Sequence, residues 1–136
     1  MRHAVCYVSN ADKQLTTSEI NELLKFSEEN NNQKDIKGIL LYSEGNFFQV
    51  IEGEKEKIIS LWNKIQNDPR HYGIITVIDR DIQKGSYDHY RATVIPEGQK
   101  YNPGLPPEYL EPLKGISPDV QGVIKGMLRN FIATRV

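Results

Sequence analysis

Gly38-Ile39-Leu40-Leu41-Tyr42-Ser43-Glu44-Gly45-Asn46-Phe47-Phe48-Gln49-Val50-Ile51-Glu52-Gly53 is the stretch that decides how this chain folds. Two β-prone runs, Gly38 to Ser43 and Phe47 to Glu52, are joined through Glu44-Gly45-Asn46 and read as a β-hairpin. One residue does not belong. Gln49 stands inside the second apolar run, where a strand heading into a core should carry no carboxamide. That group has two donor hydrogens and an acceptor oxygen, so burying it is costly unless the core satisfies both kinds. The misfit points to a polar ligand and to further polar groups around it.

The neighbouring segments supply the frame. His3 to Ser9 reads as a strand from its β-branched and aromatic content, with Tyr7 on the face opposite Cys6. Thr16 and Glu19 form a capping box that opens a helix, and Leu15 before the cap can staple onto Ile20. Downstream of the hairpin, Glu54 to Asn67 carries Ile58, Leu61, Trp62 and Ile65 at amphipathic spacing, and Asp68-Pro69 ends that helix. Ile74 to Ile78 is a further β-prone run, and Arg91 to Ile95 completes the strands. The first six elements run βαββαβ, an α+β ferredoxin-like split pattern with both helices expected on one face of the sheet.

The first helix repeats the anomaly of the hairpin. Its stripe of Ile20, Leu23 and Leu24 continues at the same angular spacing to Ser27 and Asn31, with Asn30 one turn beyond Phe26. The core-facing side therefore turns polar toward its C-terminal end. A frayed terminus would explain either asparagine alone. Taken with Gln49 and Tyr7, the pattern places amide and phenol groups from three elements where the helices meet the sheet. A planar heterocycle with alternating carbonyls and ring nitrogens would satisfy them.

Composition narrows the classes of function. The 136 residues suit one domain, and 17 basic against 18 acidic side chains give no electrostatic case for nucleic acid or an acidic membrane. Cys6 alone forms no internal disulfide and reads as a core thiol. No apolar run is long enough to span a bilayer, and a cytoplasmic protein is expected. Neither a metal-ligand cluster nor a Gly-rich phosphate loop with a lysine is present, so the chain is not expected to be an enzyme.

These residues together resemble the BLUF domains, blue-light sensors that bind FAD. The likeness covers about residues 3 to 95. It rests on Tyr7 with Ser9, on Asn31 followed by Ile36-Lys37-Gly38, on the run from Leu40 to Gly53, and on Asp68-Pro69-Arg70-His71. The resemblance implies an isoalloxazine ring between the two helices, with FMN or riboflavin able to stand in for FAD. It makes Asn31, helped by Asn30 and flanked by Ser27, the contact for the pyrimidine edge. Tyr7 and Gln49 would be the photoactive pair: electron and proton transfer from the phenol leaves the glutamine amide rearranged and the absorption red-shifted. Arg70 and His71, assisted by Asp68 and Lys64, would lie toward the ribityl and phosphate portion. His3 and His89 receive no role, and Trp62 is read as helix core.

The chain departs from the family at Tyr90 and Ala92, where many relatives carry Trp and Met. Both are taken as signal-relay positions, with Tyr90 a spectator to the primary electron transfer. Beyond residues 1–95, a Pro/Gly-rich connector (96–116) leads to a helical extension (117–136) opened by Ser117-Pro118. Its stripe of Val120, Val123, Ile124, Met127, Leu128 and Phe131 is expected to pack on the second sheet face, or to form an oligomer or partner surface. The expected partners are flavin, a downstream protein and a second copy of the chain. A non-photochemical flavin- or nucleotide-binding regulatory module is the alternative reading.

Overall fold

The computed structural model describes residues 1–43, 45–83, 85 and 87–94. The expected connector (96–116) and C-terminal helix (117–136), with its packing, lie outside the described residues. Seven elements follow in order: β1 (Arg2–Ala11), α1 (Thr17–Gln33), β2 (Lys37–Ser43), β3 (Asn46–Glu54), α2 (Lys55–Gln66), β4 (His71–Ile82) and β5 (Tyr90–Val94). They build one mixed sheet in the order β4-β1-β3-β2-β5. β3 lies between β1 and β2 and runs antiparallel to both, the arrangement a split βαβ unit requires. β5 extends the sheet beside β2, in parallel.

Alternation along the strands sorts the residues into two faces. Val5 and Tyr7 of β1, Leu40 of β2, and Phe47 and Ile51 of β3 meet Ile20 and Leu24 of α1 and Ile58 and Trp62 of α2 in one core. Both helices thus lie on one side. The other face is apolar as well, with Cys6, Leu41, Phe48 and Val50 buried. Register then brings the site together, because Tyr7 pairs with Gln49, and Gln49 in turn with Leu40.

Both helix ends of α1 are closed. Thr16 Oγ1 accepts from the Glu19 N–H at 3.1 Å while the Glu19 carboxylate accepts from the Thr16 N–H at 3.0 Å, the expected capping box. At the other end Asp35 takes the left-handed conformation, φ 58°. The Ile36 N–H then reaches the Asn31 carbonyl at 2.9 Å and the Asp35 N–H reaches Asn32 at 3.3 Å, a Schellman closure with aspartate where glycine is usual. This lock fixes the height of Asn31 and Asn32 against the sheet. Gly38 at the start of β2 has φ 143°, and a Cβ there would lie 1.9 Å from the Val50 carbonyl oxygen. Only glycine lets β2 and β3 approach so closely.

β4 is longer than its apolar run. The Ile74–Ile78 expectation grows to His71–Ile82, because the charged residues beyond Ile78 have partners instead of ending the strand. The His3 ring on β1 reaches Asp79 at 2.6 Å and Asp81 at 2.8 Å, and Lys55 at the start of α2 reaches Asp81 at 3.1 Å. His3, without a role at the sequence level, is a tie between β1 and β4. Within the described part of the expected last strand, β5 begins one residue earlier, at Tyr90.

Candidate functional site

Between α1 and α2 lies a cleft of about 300 Å³, floored by the three central strands. Leu23, Phe26 and Ser27 of α1 form one wall; Leu61, Lys64 and Ile65 of α2 form the other. Tyr7, Leu40, Phe47 and Gln49 make the floor. Asn30 and Asn31 close one side, and Asp68, Arg70 and His71 enter from the turn after α2. The structure thus brings together every residue expected to touch a cofactor, although they are spread from β1 to β4.

The inner end is neutral and buried. Gln49, 5% exposed, donates from Nε2 to the Tyr7 Oη at 2.5 Å, and its Oε1 accepts from the Tyr90 hydroxyl. The carboxamide that looked misplaced in an apolar strand is therefore held by two phenols. Burial pushes the Tyr7 phenol well up from its usual range, and the Gln49 bond opposes that only in part. Tyr90 is pushed up by burial too, against a hydrogen bond from the Asn31 side chain. Both phenols therefore stay protonated across the physiological range. Trp62, buried as expected, packs against Tyr7 with the rings tilted by 38° and their centroids 5.1 Å apart.

The outer end carries the charge. Arg70 is pinned by Asp68, which takes the guanidinium at 2.6 Å and the Arg70 backbone N–H at 2.9 Å. Partial burial works against the Asp68 charge, yet the Arg70 bonds outweigh it and hold the carboxyl below its ordinary range. Lys64 stands exposed on the rim. His71 lines the cleft with both ring nitrogens engaged, Nδ1 at 2.7 Å from Ser9 Oγ and Nε2 at 2.5 Å from the Ile65 carbonyl. A carbonyl only accepts, so Nε2 donates, and in the neutral ring Ser9 donates to Nδ1. This places His71 as a strut between β1 and α2, its ring 5.9 Å from that of Tyr7.

Sequence reasoning missed Asn32. Its amide clamps the Tyr90 backbone from both sides, Oδ1 accepting from the N–H at 2.7 Å and Nδ2 donating to the carbonyl at 2.9 Å. Glu28 adds a weaker tie, accepting from the Ala92 N–H at 3.4 Å. Asn32 sits in a polar run and bonds to backbone, a partner that leaves no trace in residue types. Tyr90 and Ala92, the two positions expected to relay a signal, are thus attached to α1, and Tyr90 is in direct contact with Gln49.

The donor set suits a flavin. Leu23 and Phe26 on one wall and Leu61 and Ile65 on the other suit a flat ring, the buried amide of Asn31 offers a donor and an acceptor, and Lys64 and Arg70 supply cationic groups at the rim. Among the described residues no group of His, Cys, Asp and Glu could hold a metal ion. No helix among them is long and apolar enough to cross a membrane.

Comparison with known proteins gives one answer. The family of sensors of blue light using FAD matches residues 3–93. A photoactivated adenylate cyclase subunit beta of Euglena longa is 35% identical over 81 residues, 60% of this chain and 9% of that protein. The blue light- and temperature-regulated antirepressor BluF of Escherichia coli K12 is 32% identical over 78 residues, 57% of this chain and 19% of its own length. The chain thus spans a small part of these relatives. Among solved structures, the BlrP1 BLUF domain superposes with a TM-score of 0.77 at 26% identity, covering 98% of this chain and 90% of that one. Klebsiella pneumoniae BlrP1 with FMN and cyclic diGMP gives 0.75 at 25% identity, covering 98% of this chain and 35% of its own. With a matching family model, a ferredoxin-like fold and a cleft floored by a Tyr–Gln pair, the chain belongs to the BLUF family, a flavin-binding blue-light sensor module rather than a catalytic one.

Proposed function

We propose that Gln49 is the switching group of this sensor and Tyr7 its electron and proton donor. The observation that carries this reading is the 2.5 Å bond from Gln49 Nε2 to Tyr7 Oη on the floor of the cleft. Bound flavin supplies the blue absorption and an excited state that draws an electron and then a proton from an adjacent phenol and returns both. Tyr7 is suited to that task because its buried phenol holds its proton in the dark and can release it only when oxidised. Gln49 would reorient while the proton is away, and its changed hydrogen bonding to a bound flavin would lower the transition energy.

The remaining roles in this reading are supported by where the residues line the cleft. Asn31, with Asn30 and Ser27, holds the pyrimidine edge. Lys64 and the Asp68–Arg70 pair guard the ribityl and phosphate side, and His71 keeps the wall between β1 and α2 upright. Tyr90 and Ala92 relay the change through β5. FAD is the expected ligand, and the FMN held by BlrP1 supports a site that grips the ring more than the tail. The output is a protein contact, with a second copy of the chain or a downstream protein. Nearly balanced charge argues against nucleic acid or an acidic membrane as the partner. A cytosolic setting fits Cys6, a buried free thiol.

The test is an absorption spectrum of the purified protein before and after blue illumination. A red shift of the flavin bands without bleaching, reversed in the dark, is the expected result. Bound flavin with no shift would support a non-photochemical flavin module instead.

A further inference from the structure

Gln49 is held between two phenols, and a phenol can both donate and accept a hydrogen bond. In the orientation observed, Nε2–H points at Tyr7 Oη and the Tyr90 O–H points at Oε1. Turn the amide by half a revolution and both contacts re-form. The Tyr7 O–H then donates to Oε1, and Nε2–H donates to Tyr90 Oη. Apart from the amide, only the two hydroxyl hydrogens rotate, and no covalent bond is made or broken. A partner that could only donate, such as an indole, would satisfy one orientation and face an N–H with its own N–H in the other.

We infer that Tyr90 is a positioning residue that satisfies the Gln49 carboxamide in either orientation, so that the switched state outlasts the one a donor-only partner would leave, with Asn32 fixing it in place. The inference rests on the proposed switching role of Gln49. Three observations carry it. Tyr90 is fully buried, so its hydroxyl depends on protein partners, Gln49 and the Asn31 side chain, and the second remains when Gln49 turns. Asn32 holds the Tyr90 N–H and carbonyl at 2.7 and 2.9 Å, at the first residue of a strand whose neighbour among the described strands is β2 alone. Asn32 directly follows Asn31, which lines the cleft, so the helix turn that meets the ligand also sets the phenol.

The experiment compares dark recovery in the FAD-loaded full chain and in three variants. Tyr90→Trp, a donor only, should still form the red-shifted state but lose it about tenfold faster. Tyr90→Phe removes the contact from both orientations and should change recovery by less than about threefold. Asn32→Ala should speed recovery about threefold and add nothing further on a Tyr90→Phe background. Light-minus-dark infrared spectra with ring-labelled tyrosine give an independent reading. The C–O band assigned by its loss in Tyr90→Phe should move on illumination as the phenol changes from donor to acceptor. A Tyr90 band unmoved by light, or Tyr90→Trp recovering at the wild-type rate, would overturn the inference while the red shift persists. A wild-type protein with no red shift would instead remove the switching role of Gln49.

Discussion

The two ends of the cleft are built on opposite principles. At the inner end, Tyr7, Gln49 and Tyr90 are neutral, almost fully buried and linked to one another; at the outer end, Asp68, Arg70 and Lys64 are charged and in contact with water. A buried neutral network is costly to leave half satisfied, so it has few well-defined states. A wet ion pair is weak and adaptable. The contrast teaches where a switch can be placed: discrete alternatives belong inside, and tolerance of the ligand's tail belongs outside.

Removing the phenol from the inner end should separate binding from response most sharply. Tyr7→Phe is expected to keep flavin bound, since Asn31 and the walls remain, and to lose the red shift completely. Absorption spectra in darkness and under blue light check this, and a retained shift would assign the donor elsewhere. The outer end should behave in the opposite way. Arg70→Ala is expected to keep the full red shift and weaken flavin binding about fivefold, roughly 1 kcal/mol, because its partner Asp68 and the guanidinium are both partly solvated. Titration with flavin at low and high salt measures it; a lost red shift would erase the distinction between the ends.

pH sharpens the comparison further. Burial raises the Cys6 thiol to about 12 and holds the Tyr7, Tyr87 and Tyr90 phenols above their ordinary value. A group whose pKa is raised on folding binds more protons folded than unfolded once pH passes the unfolded value. Stability from these groups is therefore intact below about pH 9 and falls from there upward, by about 1.4 kcal/mol per pH unit for each group in its window. Asp68, held low, acts in the other direction: its modest, solvent-screened contribution is present at neutral pH and lost as pH falls through the folded value. Urea titrations across pH should show a steep alkaline limb and a shallow acid one. Cys6 should resist a thiol reagent at pH 8 in the folded protein.

Much of this was legible in the chain. Thr16 and Glu19 announce the start of α1, and a carboxamide in an apolar strand marks the candidate site from residue types alone. What stayed hidden had no pattern to show. β4 is an edge strand among the described strands; its exposed Ile75 and charged end follow no simple alternation, and its length depends on His3 and Lys55 meeting Asp79 and Asp81 across the sheet. Asn32 lies in the polar stretch after Phe26, and its partner is a backbone. Asp35 in a left-handed turn was equally silent. Asp35→Gly should relax that turn and stabilise the protein by about 0.5–1 kcal/mol, with the light response unchanged. Equal or lower stability in thermal unfolding would mean the aspartate carries no strain.

The most direct test of the account is the light-minus-dark absorption difference of Gln49→Leu, loaded with FAD, beside the wild type. The substitution keeps the bulk of the side chain and removes both the donor and the acceptor between the two phenols. The account predicts bound flavin, a normal spectrum in the dark and no red shift on illumination. A reversible red shift in Gln49→Leu as large as in the wild type would contradict it.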